Sequence, residues 1–235
     1  VKPHLPKPNK NNVLWELKEG LAYVSRSIPI RDMILLLAVI SLVGMPYAVL
    51  MPIIAKEILG GGPSTMGFLM AFSGLGALTG ALYLASRKSV LGLVRIIPLA
   101  AGLFGAGLIA FSLSKSFWLS LFLLGIVGFG MMVQMAASNT LLQTIVDDDK
   151  RGRVMSLFIM AFIGMAPFGS LLAGALANSI GAAHTILISG MICVVAALVF
   201  WSRLPILRKA IHPLYVKMGI VPQIAAGIQR QHFGG

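Results

Sequence analysis

The sequence predicts an all-α membrane protein: six transmembrane helices preceded by an amphipathic helix at the cytoplasmic surface. Three observations predict it. Charged residues are only 11% of the 235-residue chain against 57% hydrophobic ones, where a water-soluble domain carries about 25% charged. The mean hydropathy of +0.91 excludes disorder, because disordered chains are poor in large apolar residues. The few charges fall into short stretches, and the uncharged windows between them, 33–55, 58–86, 96–114, 116–146 and 154–202, are each long enough to cross a bilayer.

Residues 1–12, rich in Pro, Lys and Asn, read as a cytoplasmic linker, without the basic start, apolar middle and small-residue cleavage site of a signal peptide. In 13–31, Leu14, Leu17, Leu21, Val24 and Ile28 recur at spacings of three and four, with Glu16, Lys18, Glu19 and Arg26 largely off that stripe. This pattern predicts an amphipathic interfacial helix, with Trp15 and Tyr23 suited to the headgroup level. A partner-binding helix would show the same pattern.

The transmembrane domain, 32–203, divides into spans near 33–55, 64–86, 96–114, 117–146, 154–177 and 183–202. A helix needs about 20 apolar residues to cross roughly 30 Å of hydrocarbon while satisfying its own backbone. The last uncharged window is too long for one crossing, and Asn178, Ser179, Ile180 and Gly181 are its most turn-prone stretch, so it splits there. The tail, 204–235, carries Pro205, Pro213 and Pro222 among basic residues and is expected to rest on the membrane surface.

Of the 19 Lys and Arg residues, only Lys56 and Lys115 fall on one side of this arrangement. Positively charged loops stay in the cytoplasm, so both termini are expected there, in a multi-pass protein of the plasma (inner) membrane. The net charge of +12 then faces anionic lipid headgroups rather than nucleic acid, since the charges flank apolar spans. The single cysteine, Cys193, excludes an internal disulfide framework and a multi-thiolate zinc site. No cofactor, metal or catalytic residue is expected.

The predicted spans hold no Asp, Glu, Lys or Arg, the usual mark of proton relays. Instead they are rich in glycine and proline. Gly76, Gly80, Gly169 and Gly174 stand out as close-packing positions, and Pro46, Pro52 and Pro167 as kinks. In the fourth span, at 100° per residue, Gln134, Ser138, Met131, Met135, Asn139 and Gln143 fall at roughly 0, 40, 60, 100, 140 and 180°. Amides bond neighbouring helices or line a water-filled cavity, and the adaptable methionines beside them suit varied apolar ligands. Gln134, Met131, Met135 and Ser138, with Tyr47 after the Pro46 kink, are therefore the candidate cavity. Asn139 and Gln143, nearer the cytoplasm, suit structural bonding. In the following loop Asp147, Asp148 and Asp149 precede Lys150, Arg151 and Arg153, where acids favour a helix N-terminus.

Asn139, Thr140, Leu141, Leu142, Gln143 and Thr144, then Arg151, Gly152, Arg153, Val154, Met155 and Ser156, then Gly169 to Leu176 resemble the tenth to eleventh helices of major facilitator superfamily transporters. The branch most resembled is the enterobactin-exporter-like and macrolide-efflux-like one, over roughly 13–203. The resemblance implies helices seven to twelve of a twelve-helix transporter that exports a small amphipathic molecule, siderophore-like or drug-like, by alternating access. Its partners would be the lipid bilayer, the substrate and an N-terminal six-helix half, and the start at Val1 fits a truncated chain. Asn139, Gln143, Asp149, Arg151, Gly152 and Arg153 would form a cytoplasmic gate. The family's aspartate in the loop between its eighth and ninth helices is missing: Gly80 to Arg95 holds only the basic Arg87, Lys88 and Arg95.

Two other classes compete. A non-transporting scaffold fits the same spans. An intramembrane serine protease would need a Gly-X-Ser-Gly frame, which neither Ser73 nor Ser189 has, and a histidine partner, for which His184 at a helix end is the one worth testing.

Overall fold

The computed structural model describes residues 13–87 and 89–217, and the side chains of 19–87, 89–211 and Pro213. The linker 1–12, the side chains of Leu14, Trp15 and Leu17, Lys88, and the tail beyond Lys217 with Pro222 lie outside the described residues.

The described chain is all helix and connecting turns, with no strand among the described residues. Helix α1, Val13–Arg26, precedes a first span built in pieces: α2, Ile28–Val39, a π-helical turn, Ile40–Gly44, α3, Tyr47–Ile53, and a second π turn, Ile54–Ile58. Then come α4, Pro63–Ala85, α5, Leu93–Leu113, and α6, Phe117–Ile145. The fifth span is α7, Asp148–Ile163, and α8, Ala166–Ile180, interrupted at Gly164 and Met165; α9, Ala182–Ser202, and α10, Leu204–Lys217, follow. Six stretches are long and apolar enough to span: Ile28–Ile58, Pro63–Ala85, Leu93–Leu113, Phe117–Ile145, Asp148–Ile180 and Ala182–Ser202.

The boundaries differ most from the sequence reading at the first and fifth spans, the fifth opening at Asp148 rather than at 154. The surface helix ends at Arg26, because Ser27 turns extended (φ −99°, ψ 104°) and Pro29, with no N–H to lose, occupies the first turn of α2. The first span therefore opens at Ile28 and takes in Arg31, Asp32, Lys56 and Glu57, the third takes in Arg95, and the fifth the charges from Asp148 to Arg153. The reading that no Asp, Glu, Lys or Arg lies within a span is corrected at these span ends, Asp32 being the buried one. The described part of the tail is helix α10, which packs on the domain. Leu204, Leu207 and Ile211 of α10 are buried, against α2, α5 and α6. Between α8 and α9 the chain turns at Gly181, whose φ of +86° favours glycine.

Four unbroken helices form a layer in the order α4, α6, α5, α9. Helices in lipid gain little from burying apolar surface against each other, so close approach through small residues has to supply the contact. At the α4–α6 crossing, a Cβ on Gly76 would lie 1.9 Å from the Gly125 carbonyl oxygen, and one on Gly128 1.9 Å from that of Ser73. A Cβ on Gly80 would lie 2.9 Å from the Phe129 carbonyl. Gly130 sits against Ala100 and Phe104 at the α5–α6 crossing, and Gly105 and Gly190 face each other between α5 and α9. Gly174, by contrast, meets nothing within 4 Å in this chain, and neither does Gly74.

The two interrupted spans pack on each other. Pro46 has no N–H to offer the carbonyl of Leu42, four residues earlier. That carbonyl faces Gly169 of α8, where a Cβ would lie 2.1 Å from it and 2.8 Å from Pro46 Cγ. The chain bypasses the missing donor through the π turn, in which Met45 N–H donates to Ile40 at 3.0 Å. Near the break in the fifth span, the Ser41 hydroxyl donates to the Phe162 carbonyl. Pro167 starts α8, again within a first turn.

Candidate functional site

The polar arc of α6 divides in two. Gln134 and Ser138 are buried, at 1% and 0% exposure, and bond each other, Gln134 Nε2 to Ser138 Oγ at 3.4 Å. Met131, Met135 and Asn139 are half-buried and Gln143 is exposed, with Gln143 Nε2 donating to Asn139 Oδ1 at 3.1 Å. The division follows the helical wheel: positions at roughly 0–40° turn inward, those at roughly 60–180° turn outward. Azimuth around α6 sets which of these side chains is buried.

Tyr47 is also interior. It is 7% exposed, shares a 3.0 Å hydrogen bond with Ser73, and meets the Phe104 ring edge-on with centroids 6.3 Å apart. Its hydrogen bond and ring contact are with Ser73 of α4 and Phe104 of α5, not with the methionines of α6. Ser73 is engaged by Tyr47, while His184 Nδ1 lies 3.0 Å from the Ile180 carbonyl of its own chain segment.

Where the sequence suggests a loop, Lys150, Arg151 and Arg153 lie in the first turns of α7, and they are organised around a residue the sequence pattern left on a surface helix. Glu19 of α1 accepts from Lys150 Nζ at 2.9 Å and lies 2.8 Å from Arg153 Nη1. Beside them Tyr23 donates to Asp147 Oδ2 at 3.2 Å. Gly20 faces α7 at this contact: a Cβ there would make ordinary van der Waals contact, 3.4 Å from Arg153 Cβ and 3.4 Å from Leu157 Cδ1. Arg151 pairs within its own helix, with Asp148, and Asp149 lies 3.5 Å from Lys150. Gly152 has open space around it. The hydrogen bond from Lys150, with the charges of Arg153 and Lys150, holds the Glu19 carboxyl below its ordinary value against an opposing effect of burial. Burial first, and the Asp147 carboxylate second, push the Tyr23 phenol up. Asp148 and Asp149 sit in the first turn of α7, where carboxylates favour the helix dipole.

In the other basic loop, Arg87 folds back on its own segment, Nη2 donating to the Leu91 carbonyl at 3.1 Å, and Gly92 turns the chain at φ +83°.

A second charge cluster escaped the sequence reading. Asp32, its side chain 5% exposed, receives Arg203 Nη1 at 3.1 and 3.2 Å and Arg31 Nε at 3.3 Å. It ties the start of the first span to the end of the last. Among the described residues no group of His, Cys, Asp and Glu has metal-site geometry.

A family model described as transmembrane secretion effector matches residues 4–218. No curated protein matches the chain.

Proposed function

The chain belongs to the transmembrane secretion effector family, of the major facilitator type, and from that premise we propose that it is the C-terminal six-helix half of a transporter exporting a small amphipathic molecule. Membrane transport is the function of the family. What this reading adds is the half-transporter, the direction and the substrate class, together with cytoplasmic termini in an inner membrane.

The observation that carries it is the outward stripe of α6. Met131 and Met135 offer pliant apolar surface, and Asn139 and Gln143 continue it with neutral amides. This stripe suits a ligand with an apolar body and a hydrogen-bonding end. It carries no charge, so a simple ion has no partner on it. Access would alternate as this half rocks against an N-terminal half. The Glu19, Lys150 and Arg153 contacts then act at the cytoplasmic gate, linking the first turns of α7 to the helix that enters the domain. Gln134, Ser138 and Tyr47 support the wall from behind. Asp32 is engaged by two arginines, so acids that carry protons would come from the other half.

Transport by the full-length protein tests this. Met135→Ala and Asn139→Ala, at equal expression, are expected to change the substrate range, while Gln134→Ala lowers stability and leaves the range as it was. Unchanged range and rate in both outward variants would remove α6 from the substrate path.

A further inference from the structure

Between α2 and α9 lies a cleft of about 280 Å³. Its walls are Leu35, Val39, Ala196 and Val199, and its one polar end is made by Asp32 and Arg203. From these features we infer that the cleft holds an anionic phospholipid, one acyl chain between the two spans and the phosphate at Arg31 and Arg203.

The charge count at the polar end is the first support. Two guanidinium groups converge on a single carboxylate, at 3.1 to 3.3 Å. One positive charge is therefore left over in this cluster, of which Asp32 and Arg203 line the polar end of the cleft and Arg31 stands beside them. Asp32 is spent within the cluster, but the arginine side chains are 39% and 47% exposed and present further N–H donors outward. Guanidinium groups pair well with phosphate through such forks.

Access is the second support. Leu35 and Val199, on the two walls, are 54% and 53% exposed. The cleft thus opens sideways, between spans, where an acyl chain enters from hydrocarbon and a hydrated anion does not. Its charged end lies at the end of the bundle that carries most of the chain's Lys and Arg, and α10 adds exposed Arg208 and Lys209 just beyond Arg203. Basic residues at a membrane surface select anionic lipid. Asp32 matters by positioning: it holds Arg203 across the gap between the first and last spans, which keeps the cleft's end polar.

The inference does not depend on what the protein transports, and its test reads lipid binding alone. Native mass spectrometry of the full-length protein, titrated with dioleoyl phosphatidylglycerol or dioleoyl phosphatidylcholine, is expected to show one retained lipid with about fivefold preference for the anionic one. Arg31→Gln, which leaves the Asp32–Arg203 pair in place, should bring that preference close to one. Val199→Trp fills the cleft and should abolish retention of the lipid. A photoreactive residue at Leu35 in vesicles of the anionic lipid should capture lipid. Equal retention of the two lipids by the unaltered protein, or unchanged preference in Arg31→Gln, would overturn the inference. So would displacement by millimolar inorganic phosphate, which would identify a free anion as the ligand, or capture of protein by the Leu35 probe, which would show that another helix covers the cleft. Should Val199→Trp fail to fold, Arg31→Gln and the Leu35 probe still decide the matter.

Discussion

Glu19 Oε1 lies 2.8 Å from Arg153 Nη1, so the helix that enters the membrane domain is clamped to the first turns of α7, at the start of the fifth span. If this clamp belongs to the gate, Glu19→Gln and Arg153→Gln should each slow transport by about fivefold or more. The double variant should be little worse than Glu19→Gln, which already weakens the Arg153 contact along with that of Lys150. Substrate affinity at equilibrium should change little. Additive losses in the double variant, or loss of affinity with normal turnover, would separate the two residues.

The clamp should also respond to acid. The Glu19 carboxyl is held below its ordinary value, near 4.3, by Lys150 and Arg153. A lowered carboxylate value means that the docking is at full strength above the ordinary value and is lost as pH falls through the lowered one. Spin labels on α1 and α7 should thus keep their separation from neutral pH down through the ordinary carboxylate range and move apart only as pH falls below it. In Glu19→Gln the same labels should show no such transition.

Arg203→Ala should destabilise the protein by about 1–3 kcal/mol, since it leaves the buried Asp32 carboxylate with Arg31 alone. Adding Asp32→Asn should restore part of that loss, because the amide costs less to leave half-satisfied. Thermal unfolding in detergent, with the single and double variants side by side, measures it.

Gly76→Ala should cost about 1–3 kcal/mol or more, since its Cβ would lie 1.9 Å from backbone at Gly125 and only separation of α4 from α6 relieves it. Gly74→Ala, on the open side of the same helix, is the control and should be neutral or slightly stabilising in the helix. Equal effects at the two positions would mean that α4 and α6 do not cross at Gly76.

Cysteine labelling checks the orientation. A cysteine at the exposed Ser89 should react only with reagent on the cytoplasmic side, and one at the exposed Lys115 only with reagent outside. The reverse pattern would invert the topology that the lysines and arginines predict.

How far these features can be read from sequence depends on their range. Uncharged windows and turn-prone breaks are local, and they mark out helices such as α4, α5 and α9 well. Gly76 and Gly80 could be picked from composition, but not told apart from Gly74 or Gly174, because packing depends on which neighbour crosses at that height. The α6 arc was visible at the right spacing, yet period alone cannot say where inside ends, and Gln134 fell on the inner side of that line. The Glu19 and Asp32 pairings were invisible for a simpler reason. Glu19 lies 131 positions from Lys150, and Asp32 171 from Arg203, so no pattern along the chain joins them.

The interruptions at Pro46 and Gly164 fall in the first and fifth spans, which pack on one another, while α4, α6, α5 and α9 run unbroken and are knit by glycine crossings. The domain is thus mechanically divided: a stiff plate of four rods carries a compliant pair of jointed struts along one side. A force arriving at the plate will move it as one body, and bending will collect at the struts. Cross-linking α4 to α6 should then be tolerated, whereas a bridge between Leu42 and Gly169 would lock the joint itself.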